Sequence, residues 1–459
     1  MLAAGGCATT RGEPELAGLI KERAGQPSAS GKDDEQARLD VLAQLKEGLT
    51  EDSAVRVALL NNRAILAALE EVGVARAELA QARILTNPEF AGGSGFYAGR
   101  SGTYPHFTLT QDVLDLALYP LRRKAGAERF EAARLSVGHS ILETVAHVRE
   151  AFYSFLAATL GQTAARDELS AAEAMGEFAR RQSAAGNINE LNLAKLEASQ
   201  NEAEIEWENR AANAVVARAE LAEALGLESD AEQLKTAQGF AEPAGAEPPS
   251  ADLESLALSR RLDLASARRK VVALEKSVSL SRWQSVPQIR LGIERETEAD
   301  ARRTGPELEM QIPLFDRGQA RRAGARAQLR QARQELAMLE VRARKEVRAA
   351  RARAAAARRA SAIYRDRLVP LRAKVVAQTQ LHYNFMLLGV DHLLEVKREE
   401  IKARTMQMEA IKNYWTERAK LELATGGPIA VDPAADKPAS APEPEPAPAP
   451  DHRNHGDHQ

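Results

Sequence analysis

Residues 287–315 read PQIRLGIERETEADARRTGPELEMQIPLF. Ile289, Leu291 and Ile293 alternate with Arg290, Gly292 and Glu294. Leu308, Met310, Ile312 and Leu314 alternate with Glu307, Glu309 and Gln311. A period of two marks strands whose two faces meet different surroundings. The stretch predicts strands at about 287–297 and 306–315. Upstream, PEFAGGSGFYAGRSGTYPHFTLTQ at 88–111 behaves alike, with Phe107 and Leu109 alternating with Thr108 and Thr110. Phe90, Phe96, Tyr97, Tyr104 and Phe107 cluster there, in a chain that is only 4% aromatic. Strands are expected at about 88–98 and 104–112.

The two ribbons belong to a duplication. Leu59 is echoed by Leu258, Pro88 by Pro287, QDVL at 111–114 by QIPL at 311–314, and RRKAGA at 122–127 by ARRAGA at 320–325. Gly186 is matched with Gly389, and Leu225-Gly226 with Thr425-Gly426, at offsets between about 198 and 203. A unit this long is a whole half-domain rather than a solenoid repeat. The expected plan is a first repeat at 36–227, a linker at 228–251 rich in Pro and Glu, and a second repeat at 252–427. Each repeat reads helix, two strands, a very long helix, a break and a second long helix. The helical patterns run 49–85, 111–185 and 190–225, then 253–283, 319–386 (interrupted at Pro370) and onward to Thr425. A helix of about 65 residues is about 100 Å long and needs partner helices of similar length. The fold class is therefore mainly α with a small β part.

Lys and Arg total 62 against 65 Asp and Glu, a balance that argues against a nucleic-acid binder. No run of about 20 apolar residues exists, so no transmembrane helix is expected, but a barrel strand needs only about 10 alternating residues. The single cysteine, Cys7 in MLAAGGCATT, excludes an intrachain disulfide. Its surroundings resemble the cleavage box of a bacterial lipoprotein, in which Cys7 carries lipid and residues 1–35 form a poorly ordered tether. The alternative is a chance cysteine. No phosphate loop, zinc spacing or nucleophile elbow is present, so no catalytic residue and no cofactor is assigned. His106, His139, His147, His382 and His392 are isolated. Residues 428–459 form a Pro/Ala/Glu tail that cannot bury enough apolar surface to fold. It ends in His452, His455 and His458 beside Asp451 and Asp457, donors that suit divalent transition metals; a solvated tail is the alternative.

Two hairpins supply four strands, too few to close a barrel, and open edges do not sit in lipid. If the strands span a membrane, chains must pool them; three chains supply twelve strands, an ordinary barrel size. At this point the chain resembles a TolC-type outer-membrane factor over about residues 49–427. The resemblance rests on the ordered duplication and on the strand starts Asn87-Pro88 and Val286-Pro287. It also rests on TQDVLD at 110–115, QIPLFDRG at 311–318, GNINELNLAKLEAS at 186–199 and LLGVDHLLEVKREE at 387–400. It implies a homotrimer with a twelve-stranded barrel in the outer membrane and an α-helical barrel in the periplasm. Its partners would be a membrane-fusion adaptor and an inner-membrane transporter of the RND type, and the His/Asp tail suggests heavy metals as a cargo. The implied adaptor-contacting tips lie at about 186–190 (Gly186, Asn187, Ile188, Asn189, with Leu191) and about 388–392 (Gly389, Val390, Asp391, with Leu394). Glu395 falls where the family narrows its closed end with acids, and Arg398 follows where another acid is sometimes found. Plain helix terminators at the glycines and a local Glu395–Arg398 pair are the alternatives. The rival function is a lipid-tethered periplasmic coiled-coil scaffold, or an adaptor, without a pore.

Overall fold

The computed structural model describes residues 14–26, 34–95, 104–227, 234–237, 239–243, 245, 248–283, 288–298, 301–312 and 314–429. Both repeats are built alike. The first holds α3 (Glu51–Asn61), α4 (Arg63–Ala82), β1 (Glu89–Gly95), β2 (Tyr104–Asp112), α5 (Val113–Ala184) and α6 (Glu190–Leu225). The second holds α7 (Ser250–Arg260), α8 (Leu262–Trp283), β3 (Ile289–Glu298), β4 (Ala301–Met310), α9 (Gln319–Ile363), α10 (Val369–Asn384) and α11 (Val390–Thr425). Two further helices, α1 (Pro14–Ala24) and α2 (Asp34–Glu47), precede them.

The strands form one antiparallel sheet in the order β1-β2-β3-β4. The central pairing joins the repeats: Leu109 lies opposite Ile293 and Gln111 opposite Leu291. The second ribbon sits earlier than its sequence suggests, with β4 at 301–310 rather than 306–315. Arg302 and Arg303 extend the ladder opposite Thr297 and Glu296. Pro306 is accommodated on an outer strand, where a missing N–H is tolerated. After Gln311, whose N–H still donates to Gln288 O at 3.1 Å, the chain leaves the ladder. Leu314 N–H donates to Ile312 O at 3.0 Å, and Asp316 accepts from Gly318 N–H before α9 begins.

Each predicted first helix is split in two. In the first repeat Asn62 ends α3 and caps α4, its side chain accepting from Ala64 and Ile65 N–H. The same side chain donates to Ala224 O at 2.7 Å. In the second repeat Arg261 stands at the break and donates to Ala424 O at 3.4 Å and Glu346 at 2.6 Å. Gly226 and Gly426 close α6 and α11 in the left-handed region, at φ 72° and 81°. Each rests on the break of its own repeat. A Cβ on Gly226 would lie 2.7 Å from Asn61 O, and one on Gly426 3.0 Å from Arg260 C and O. These paired breaks form a level at mid-height, here termed the equator, where the core is richest.

Tyr414 and Phe155 are each 1% exposed there. Burying an aromatic or branched side chain of this size contributes about 1.5–3 kcal/mol. Tyr153 stacks on Trp415 at 5.7 Å and on Phe240 of the linker at 6.2 Å. Its hydroxyl donates to Glu51, and burial together with Glu51 pushes the phenol far above its ordinary range. Arg149 bridges Glu51 at 2.9 Å and Glu422 at 2.8 Å, tying α5 to both repeats. The linker is pinned at Leu49, whose N–H donates to Lys235 O at 2.7 Å.

Part of the expected tether is structured. In α1, Leu16 and Ile20 are each 1% exposed, and Arg23 donates to Gly426 O at 3.0 Å. The apolar spacing of Leu16 and Ile20 fits one helix face, which packs on α5 beside Gly138. Residues 1–13, including Cys7, and 430–459, including His452, His455 and His458, lie outside the described residues. The expected linker and tail overlap the described residues only in part.

Two outcomes follow. Gly426→Ala must hold a Cβ in the left-handed region against the Arg260 backbone, so a loss of about 2 kcal/mol or more is expected in denaturant unfolding. An unchanged midpoint would show that the break and the cap do not depend on each other. The second concerns acid. Burial pushes the carboxyls of Asp263 and Glu346 up, but hydrogen bonds and charge from Arg261, with His139 beside Asp263 and Arg342 beside Glu346, leave both below the carboxylate range. A folded value below the unfolded one means that their contribution is complete above the unfolded pKa of about 4 and is lost as pH falls below it. Thermal midpoints measured between about pH 6 and pH 3 are expected to fall less steeply for Asp263→Asn than for the wild type.

Candidate functional site

The sheet has one wet and one apolar face. Register puts Phe90, Leu109 and Ile293 in one row across three strands, and Leu291 beside Leu308 in another. These side chains are exposed: Phe90 69%, Ile293 60% and Leu308 65%. The opposite face carries Glu89, Arg290, Glu307 and Glu309, with Arg290 bridging Glu89 at 2.8 Å and Glu309 at 3.3 Å. Apolar side chains in the open on one face and ion pairs on the other suit a wall between hydrocarbon and water. The sheet is fixed to the helices at its base. Asp112 caps α5 by accepting from Asp115 N–H. Asp115 in turn accepts from the Thr86 hydroxyl at 3.0 Å, and Gln111 donates to Thr86 O at 3.1 Å.

At the far end each long helix pair turns back. In the first tip Gly186 takes φ 73° and Asn187 N–H reaches back to Gln182 O at 2.9 Å, a Schellman closure. Asn189 then caps α6 by accepting from Asn192 N–H. In the second tip the left-handed residue is Met386, at φ 58°, and Leu387 N–H reaches back to His382 O. Gly389 is extended, at φ −75°, and precedes α11 as Asn189 precedes α6. Gly389 is thus the counterpart of Asn189 rather than of Gly186, because α10 ends earlier than its sequence pattern suggests. A non-glycine residue held at positive φ marks stored strain, which concentrates at functional positions.

Sequence reasoning missed the apolar point of this tip. Phe385 is 73% exposed, Met386 93% and Leu387 67%. The available signal was the run FMLL at 385–388 standing next to a helix break. On the first tip Leu191 is 63% exposed, and Gly186, Asn187 and Asn189 are open to solvent. Ile188, Val390 and Leu394 are half-buried. Asp391 is helical.

Glu395 is exposed and forms no ion pair among the described residues. Arg398 does not pair with it. It crosses to the first repeat, 2.6 Å from Glu202 on α6 and 3.9 Å from Glu168 on α5. Burial pushes the Glu168 carboxyl up, and Arg398 opposes that shift. Arg398 lines a cleft of about 420 Å³ between α5, α6 and α11, with Met175, Leu196, Leu394 and Met408. Among the described residues no group of three or more His, Cys, Asp or Glu is placed to hold a metal ion, and no helix is long and apolar enough to cross a membrane.

Residues 54–227 match the family described as outer membrane efflux protein. The chain is 26% identical over 274 residues to the cobalt-zinc-cadmium resistance protein CzcC of Cupriavidus metallidurans, an alignment covering 59% of this chain. It spans only 64% of that relative's length. A membrane protein from Pseudomonas aeruginosa superposes with a TM-score of 0.70 at 19% identity, over 81% of this chain and 91% of that one. The CmeC outer membrane channel of Campylobacter jejuni superposes at 0.68 with 15% identity, over 90% and 92%. The first repeat thus matches the outer membrane efflux protein family in sequence, and the chain as a whole shares the fold of these membrane proteins, one of them an outer membrane channel.

Proposed function

We propose that this chain is the exit duct of a tripartite efflux pump, a passive trimeric channel through which a partner transporter drives substrate from periplasm to exterior. The observation that carries the reading is the four-stranded sheet with an exposed apolar face and both outer strands open. Unpaired backbone groups cannot face hydrocarbon, so in lipid β1 and β4 must find strands from other copies. Three copies supply twelve strands. The helices below continue the wall, and no side chain is required to react with what passes.

The tips are the surface for a periplasmic adaptor. Exposed Phe385, Met386 and Leu387 form an apolar point at the end of a rigid helix pair, suited to insertion between partner helices. The proposed cargo is divalent heavy-metal cations. The relative named for cobalt, zinc and cadmium resistance supports this, as does the His/Asp end of the tail.

Expressed in a Gram-negative host, the chain is expected in the outer-membrane fraction. It should require detergent for extraction, run as a heat-sensitive trimer on mild gels and conduct ions in planar bilayers. A monomer that is fully soluble without detergent, with its sheet folded, rules the duct out. In a host lacking its own copy, the wild type is expected to restore cobalt, zinc or cadmium tolerance. The M386D/L387D variant is expected to restore none while keeping the trimer and its conductance. Full rescue by that variant removes the tip from docking, and failure of the wild type to rescue any of the three removes the metal cargo.

A further inference from the structure

The packing of the helices leaves two free edges. Below the equator α6 packs on α5, α5 on α11, and α11 on α9 and α10. Above it α4 packs on α5, α5 on α8, and α8 on α9. One edge is therefore α4 with α6, and the other is α9 with α10. The same edges continue into the sheet, since α4 leads into β1 and β4 leads into α9.

Both edges carry a helical seam facing nothing in the protomer. On α6, Leu191, Ala198, Ile205, Ala212 and Ala219 recur every seven residues and are all exposed. On α4, Ala67, Val74 and Gln81 repeat the spacing. On α9, Ala320, Ala327, Gln334 and Val341 do the same, and below them Ile363 and Leu371 are 51% and 57% exposed. A seven-residue apolar repeat is the pattern of a helix awaiting a helical partner.

The edges differ in charge. Helices α4 and α6 hold 11 carboxylates and five bases, whereas residues 319–384 hold 17 bases and four carboxylates. Many of these charges already pair inside the protomer, but those beside the seams do not. Glu204, Glu208, Glu220 and Glu223 on one edge, and Arg326, Arg330, Arg359 and Arg367 on the other, are without ion pairs among the described residues. Counted from their tips, Glu208 and Arg367 each stand about 19 residues up, or about 29 Å. Ala212 and Ile363 each stand about 23 residues up. Small thus faces large, and acid faces base, at matching heights.

We propose that the acidic α4/α6 edge of one copy is covered by the basic α9/α10 edge of the next, so that opposite charge sets the order and direction of ring assembly. The occupant is a second copy because the strands directly above the same two edges require one. The inference rests on the trimeric-duct reading and adds the chemistry of its seams. A head-to-tail contact of unlike edges closes into a ring and disfavours like-edge pairing, which would face acid with acid or base with base.

The test uses the full chain in detergent, with trimer and monomer separated by size exclusion with light scattering over a dilution series. Glu204→Lys with Glu208→Lys reverses one edge, and Arg359→Glu with Arg367→Glu reverses the other. Each reversal is expected to raise the dissociation midpoint about tenfold or more, equivalent to about 1.4 kcal/mol. All four substitutions together are expected to recover most of that loss. Wild-type midpoints for both single-edge variants, or a quadruple variant as weak as either, overturns the inference while leaving the duct intact. A folded wild type that never trimerises overturns the duct itself. If circular dichroism shows the variants unfolded, the wild-type trimer decides. It is expected to weaken about tenfold from about 50 mM to about 500 mM salt as screening shortens, and salt independence overturns the proposal.

Discussion

Every unpaired backbone amide facing hydrocarbon costs several kcal/mol, and a duct built from this chain would have to meet that constraint. A sheet of four strands, apolar on one face, satisfies it only where β1 and β2, β2 and β3, or β3 and β4 meet. The outer rows of β1 and β4 are left over. In the proposed duct, their demand for strands from other copies would carry down to the helices, because α4 leads into β1 and β4 leads into α9. The long helices would then form a wall continued by another copy, in keeping with the exposure of α9 along much of its length.

Duplication supplies both halves of that wall, and the equator makes them one body. Asn62 and Arg261 end one helix and start the next while bonding to carbonyls at the end of the helix that closes the repeat. Gly226 and Gly426 lie so close against those breaks that a Cβ would stand 2.7 Å from Asn61 O at the first and 3.0 Å from the Arg260 backbone at the second. Between the repeats, Arg149 holds Glu51 of the first and Glu422 of the second, and Tyr153 stacks on Trp415. Half-buried charges at such a junction contribute direction more than energy, since desolvation cancels much of their attraction. Packing of Phe155, Tyr414 and their neighbours supplies the cohesion.

Much of this was legible in the residues. Alternation around Ile293 and Leu308 announced strands, and Gly226 with Gly426 announced the repeat ends. What was not legible depends on partners distant in sequence. Asn62 looks like an ordinary helical residue until its side chain meets Ala224, 162 positions away. Helix α1 looks too short to be stable alone and is held by burial of Leu16 and Ile20 against α5. The sequence also suggested Gly389 as the reversing residue, because glycine is the usual choice at positive φ. Met386 takes that conformation instead, since α10 ends where Leu387 N–H can close back on His382 O. Arg398 likewise invited a local partner, yet its long side chain crosses to Glu202.

The two repeats are alike in plan and unlike in detail. Helix α5 runs unbroken from Val113 to Ala184, whereas its counterpart is interrupted by a π-helical segment at Tyr364–Leu368, which ends two residues before Pro370. None of those five π residues is buried. A π turn replaces the ordinary hydrogen-bond ladder with a wider one, and proline removes a further donor, so bending is easiest there. Below that point the second hairpin carries the strained Met386 and the apolar tip, and it meets the first through Arg398 and the carboxylates of Glu168 and Glu202. In the proposed duct, the second hairpin would bend more readily than the first, at the level of Tyr364–Leu368.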